Sequence, residues 1–160
     1  MLVKDAMVRD VSAIFEDEKI ETFIRISALH LQHVFPVVDE KMKIIGIISE
    51  DDVISETIPS YFGLLHSASF IPDTNQMKRE LSEIKDEPIG KFIKRTVITI
   101  EENDTILHAA DLLLRHKLLN LFVVDKDGRL TGIIHRSRIL LAVLHEVLEE
   151  KTAQEKPNRL

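Results

Sequence analysis

"VFPVVDEKMKIIGIISEDDVI", residues 34–54, decides the fold because it holds nearly every transition a small α/β unit needs. Two β-branched runs flank a short polar stretch and read as strand, tight turn and strand. Ser49 and three acids then open a segment that reads as a helix. The chain writes the passage a second time as "NLFVVDKDGRLTGIIHRSRIL", residues 120–140. There the turn carries the hairpin dipeptide Asp127-Gly128, and the helix opens on His135, Arg136 and Arg138 where the first copy has Ser49, Glu50 and Asp52.

Extended outward, residues 3–54 align with residues 89–140 at a constant offset of 86, and twelve of the 52 pairs are identical. Average composition gives about three by chance, so the chain is an internal duplication. Upstream of each quoted stretch stand a short β-branched run ("VSAIF", "VITI") and a segment with apolar residues at helical spacing. Those residues are Ile20, Phe23, Ile24 and Leu31 in one copy and Ile106, Ala109, Ala110, Leu113 and Leu114 in the other, with Asp17 and Asn103 or Asp104 as expected N-caps. Each copy is therefore β-α-β-β-α, and the fold class is α/β (α+β). The expected layout is a first motif over 1–58, a partly helical linker over 59–86, a second motif over 87–148 and a polar tail over 149–160. In the linker, "DTNQMKRELSEIK" is expected to be helical from a cap at Asp73 or Thr74, with Tyr61, Phe62, Leu64, Leu65 and Phe70 packing on the halves or on a partner subunit.

Composition narrows the function classes. A net charge of −6 gives no general attraction to nucleic acid or anionic lipid. A local basic stripe from Lys91, Lys94 and Arg95 to Arg136 would be needed to favour a nucleic-acid partner. With no cysteine there is no disulfide framework and no thiolate chemistry. The apolar runs fall short of the roughly 20 residues that span a bilayer, and no signal-peptide core opens the sequence. A cytoplasmic protein without a membrane partner is expected.

The two quoted passages resemble the signature of the cystathionine β-synthase (CBS) domain: Pro-Val-Val-Asp, then Gly-Ile-Ile, then Ser/Thr-x-x-Asp opening a helix. The second copy departs at Phe122, His135 and Arg138, where the pattern has Pro, Ser/Thr and Asp. The resemblance implies two pseudo-twofold-related motifs packed into one Bateman-type module, commonly homodimeric. It further implies a non-catalytic regulatory module for an adenine nucleotide, AMP, ADP or ATP, that passes occupancy to a regulated protein and requires no cofactor. S-adenosylmethionine or cyclic di-AMP are alternative ligands, and a ligand-free homodimeric interaction module is the alternative of a different class.

In the family the Ser/Thr-x-x-Asp carboxylate holds the ribose hydroxyls, which carries onto Ser49 and Asp52. An ionised carboxylate is acceptor-only and can take both ribose hydroxyls, although Ser49 and Asp52 also stand at capping-box spacing, and the two roles can coexist. Adenine contacts implied by the resemblance fall on Ala13, His33, Val34, Phe35 and Pro36. Their repeat mates Thr99, Asn120, Leu121 and Phe122 line a second cleft that lacks the ribose carboxylate. His135, Arg136 and Arg138 crowd a helix N-terminus, where each cation costs about 0.3 to 1 kcal/mol unless an anion compensates, so a phosphate is expected there. Salt-bridged surface arginine is the plainer alternative. His30, His33, His108 and His116 lack the carboxylates that would complete a metal ligand set, and no nucleophile elbow, Walker or dinucleotide glycine pattern is present. No metal site and no enzyme activity are expected.

Overall fold

The computed structural model describes residues 1–30, 32–58 and 75–154. Leu31, the five linker residues expected to pack and the Asp73 or Thr74 cap lie outside the described residues. The elements run α1 (Val3–Ala6), β1 (Ile14–Phe15), α2 (Ile20–His30), β2 (Val34–Val38), β3 (Ile44–Ser49), α3 (Glu50–Thr57), α4 (Asn75–Ile84), β4 (Thr99–Glu101), α5 (Ile106–Arg115), β5 (Asn120–Val124), β6 (Leu130–His135) and α6 (Arg136–Gln154), with a 3-10 turn at Ile89–Lys91. Both copies have the expected β-α-β-β-α order, and the linker helix forms from Asn75.

Each copy builds a three-stranded sheet, β1-β2-β3 or β4-β5-β6, in which the first pair is parallel and the second antiparallel. The shared aspartate explains how the antiparallel pair is closed. Asp39 Oδ1 accepts the N–H groups of Lys41 and Lys43, and Asp125 Oδ1 accepts those of Asp127 and Arg129. These bonds hold the Asp125 carboxyl below the usual carboxylate range, the Arg129 N–H contributing most.

The compact units do not coincide with the repeats. Ser12–Val97 form one, here the Asp52 unit, while Met1–Val11 join Ile98–Leu160 in the other, the Arg138 unit. Each repeat thus lends its opening residues to the sheet of its twin. Val8 and Ile133 exchange two backbone hydrogen bonds of 2.8 Å, and Lys94 and Ile47 exchange the equivalent pair at 2.9 and 2.8 Å. Val3 and Ile89, one repeat apart, are both fully buried in the units they join. Burial of each such side chain stabilises its unit by about 1.5–3 kcal/mol.

The crossing explains further identities between the copies. Arg9 pairs with Glu102 at 3.4 Å, and Arg95 with Glu16 at 3.5 Å. These exposed pairs fix register more than they stabilise. Gly46 and Gly132 face the incoming segments: a Cβ on Gly46 would stand 2.9 Å from the Lys94 carbonyl oxygen, and one on Gly132 only 2.5 Å from that of Val8. The repeated Gly-Ile-Ile is therefore a docking strip for the segment that arrives from the other repeat.

Four local expectations are corrected. The N-cap of α5 is Thr105, whose hydroxyl accepts the His108 N–H, and Asp104 instead accepts the Glu101 N–H. The second copy therefore caps neither at Asn103 nor at Asp104. Likewise α2 starts only at Ile20, leaving Asp17 in the preceding turn. Leu114, placed on the apolar face by its spacing, is 70% exposed, because the inward positions of α5 are Ala109 and Leu113. The last helix also continues beyond Glu150 into the residues read as a polar tail, with the Thr152 hydroxyl donating to the Leu148 carbonyl.

Candidate functional site

In the Asp52 unit, β3 ends at Ser49 and α3 begins at Glu50, so Asp52 lies in the first helical turn and folds back over the strand end. Its Oδ2 accepts the Ser49 N–H at 2.7 Å and the Ser49 hydroxyl at 2.8 Å. Its Oδ1 stands 3.1 Å from Lys94 Nζ, on the segment docked against β3. The Asp52 side chain is 11% exposed and that of Lys94 is 64% exposed. A fixed, nearly buried carboxylate thus sits beneath an open ammonium.

Around it, the structure brings several of the expected residues together. Val34 is the cross-strand partner of Ser49, placing the start of β2 beside the Asp52 turn. His33, the preceding residue, is exposed and has Nδ1 at 3.4 Å from Glu50 Oε2. Ala13, half-buried, immediately precedes β1. Gln32, which the sequence did not single out, donates from Nε2 to both the Ser12 and Val34 carbonyls, tying the approach to β1 to the start of β2. The Phe35 side chain belongs to the core, edge-on to Phe23 with ring centroids 5.6 Å apart, and Pro36 is buried beside it in β2. Phe35 can therefore address a ligand only through its backbone.

The Arg138 unit repeats the frame with different chemistry. Asn120 pairs with His135, and Thr99 with Phe122, while Leu121 and Phe122 are buried at 1% and 4% exposure. The two arginines have protein partners. Arg136 donates from Nε to the Leu118 carbonyl at 2.7 Å and from Nη2 to the Leu113 carbonyl at 3.2 Å, at the C-terminal end of α5. Arg138 donates from Nε to the carbonyl of Ala6, the last residue of α1. Cations that are unfavourable at the start of α6 are thereby drawn to the negative ends of two other helices. Arg138 also lines an open groove of about 380 Å³ with Asp5, His145, Glu146 and Glu149, where three carboxylates share the lining with its guanidinium. Burial, and secondarily the Arg138 charge, lowers the His135 pKa.

Among the described residues no cluster of three or more His, Asp or Glu could hold a metal ion, and no helix is long and apolar enough to cross a membrane. Lys94, like Gln32, is a polar group that the sequence did not assign to this site. Only its register against Ile47, invisible in "KFIKRTV", places it above Asp52.

A family model described as "CBS domain" matches residues 3–58 and 89–145. The CBS domain-containing protein CBSX1 of Arabidopsis thaliana chloroplasts is 32% identical over 116 residues, which are 69% of this chain and 49% of that protein, so the chain spans about half the length of this relative. A CBS domain-containing protein of Dictyostelium discoideum is 29% identical over 149 residues, covering 93% of this chain and 94% of the relative. Among solved structures, CBSX2 in complex with AMP is similar with a TM-score of 0.67 at 21% identity, covering 90% of this chain and 96% of that one. The CBS domain pair of protein MJ0100, solved with 5′-methylthioadenosine and S-adenosyl-L-methionine, has a TM-score of 0.62 at 22% identity, covering 91% and 98%.

Proposed function

The chain belongs to the CBS domain family, and from that premise we propose that it is a regulatory module whose Asp52 unit binds an adenosine ligand and passes occupancy to a partner protein. The observation that carries this reading is the Asp52 carboxylate, oriented through Oδ2 by Ser49 and presenting Oδ1 at the end of β3. A carboxylate held in advance can accept ribose hydroxyls without paying to reorient. The ribose hydroxyls, with adenine, are also common to AMP, 5′-methylthioadenosine and S-adenosylmethionine, the ligands named for the two structural neighbours. Adenine would lie along the edge formed by half-buried Ala13 and Val34 and exposed His33, which Gln32 holds in place.

Titration calorimetry with AMP, ADP, ATP, S-adenosylmethionine and cyclic di-AMP tests the reading. The expected result is saturable binding of one or more adenosine compounds, lost in Asp52→Ala. Absence of heat and of thermal stabilisation at millimolar concentrations of all five would sink it, since saturating ligand must raise the melting temperature by mass action.

The proposed assembly is a homodimer through α6. This helix exposes Leu140, Leu144 and Leu148 at 71%, 50% and 51%, at i, i+4 spacing on one face. It begins with Arg136 and Arg138 and later carries Glu146, Glu149 and Glu150, so an antiparallel second copy would match both the apolar stripe and the charges. Light scattering of Leu144→Asp should report a monomer; a monomeric wild-type chain would remove the assembly.

A further inference from the structure

We infer that Lys94 selects ligands bearing a phosphate at this site, so that the preferred ligand is an adenine nucleotide rather than a neutral or cationic adenosine derivative. The inference rests on the ribose reading of Asp52 and adds to it a residue and a chemical class.

Lys94 is held by the sheet. Its N–H and carbonyl are bonded to Ile47 at 2.9 and 2.8 Å, and the missing Cβ of Gly46 lets the segment approach that closely. The stem therefore starts from a fixed point beside β3 and ends with Nζ 3.1 Å from Asp52 Oδ1. Asp52 is its one ion-pair partner among the described residues, and an ammonium has three donors, which leaves N–H groups for an arriving anion. The 64% exposure of the side chain keeps that head open to solvent, while the carboxylate beneath is nearly buried.

This combination occurs in one unit only. The repeat mate of Lys94 is Val8 and that of Asp52 is Arg138, so the Arg138 unit has neither the acid nor the lysine at these positions. There Arg136 is bonded to the end of α5, and the groove beside Arg138 is lined by Asp5, Glu146 and Glu149. Anion selection falls on the Asp52 unit, where sugar acceptor and phosphate donor touch each other before any ligand arrives. A monophosphate would gain a charge-assisted hydrogen bond from Lys94 that adenosine cannot make. The net positive charge of S-adenosylmethionine would meet the ammonium unfavourably.

The test is calorimetry of the full chain and of Lys94→Gln with adenosine, AMP and S-adenosylmethionine at low and high salt. Wild type is expected to bind AMP more tightly than adenosine by about tenfold, the factor worth about 1.4 kcal/mol. Lys94→Gln should erase most of that difference, hold adenosine within about twofold and weaken the salt dependence of AMP binding. Equal loss for adenosine and AMP would overturn the inference, because Lys94 would then merely position Asp52. Unchanged AMP binding would overturn it as well. If wild type binds none of the three, the ribose reading itself fails; if wild type binds and the variant keeps its selectivity, only the lysine's role fails.

Discussion

Met42 and Gly128, one repeat apart, occupy the same turn position with left-handed backbone, φ 63° and 78°. An L-residue with a Cβ is strained there and glycine is not. Since Met42 is 41% exposed, little burial would be lost on its replacement. Met42→Gly should stabilise the Asp52 unit by up to about 1 kcal/mol, while Gly128→Ala should destabilise its own unit by a similar amount, both read by denaturant melts.

Gly132→Ala and Gly46→Ala should each loosen an exchanged segment. The added carbon meets backbone oxygen in both cases, and the 2.5 Å approach at Gly132 is the tighter. Destabilisation of about 1–3 kcal/mol is expected, larger at Gly132, with faster amide exchange at Val8 and Ile133 in that variant and at Ile47 and Lys94 in the other.

His135 should make the fold sensitive to mild acid. Its folded pKa lies below the ordinary 6.5 because burial, then Arg138, disfavours the imidazolium. The unfolded chain therefore binds the proton more readily, so the contribution is fully present above about pH 6.5 and is lost as pH falls through the folded pKa. Thermal melts from pH 7.5 to 5.5 should fall more steeply for wild type than for His135→Gln. Parallel curves would remove the effect.

Arg136→Ala should cost about 1 kcal/mol, a modest figure because the side chain is exposed, through the lost hydrogen bonds to the Leu113 and Leu118 carbonyls. Adenosine and AMP should bind this variant as they bind wild type. A selective loss of AMP affinity would instead return Arg136 to the phosphate role that its position suggests.

What the sequence revealed was local or repeated. The hairpin of residues 34–49, the helix opened by Ser49 and the family signature all depend on neighbours within a few residues, and the offset of 86 made each feature visible twice. Long-range geometry was hidden. Nothing near Val3 or Lys94 says that these segments leave their own repeat, because a β-bridge to a distant strand leaves no local period. The arginines show the same limit: a cationic helix start reads as an anion site, and nothing in that stretch announces the Ala6, Leu113 and Leu118 carbonyls that the two side chains reach. Thr105 displaced Asp104 as the cap because two adjacent polar residues offered the same local signal, and tertiary placement chose between them.

The exchanged openings also set an order of assembly during synthesis. Ser12–Val97 is one uninterrupted stretch, so the Asp52 unit is complete once Val97 has been made. Residues 1–11 precede that stretch, yet Val8 meets its strand only when Ile133 appears. A segment made early is therefore placed late, and the Asp52 unit stands finished while residues 98–160 of its twin are still to be made.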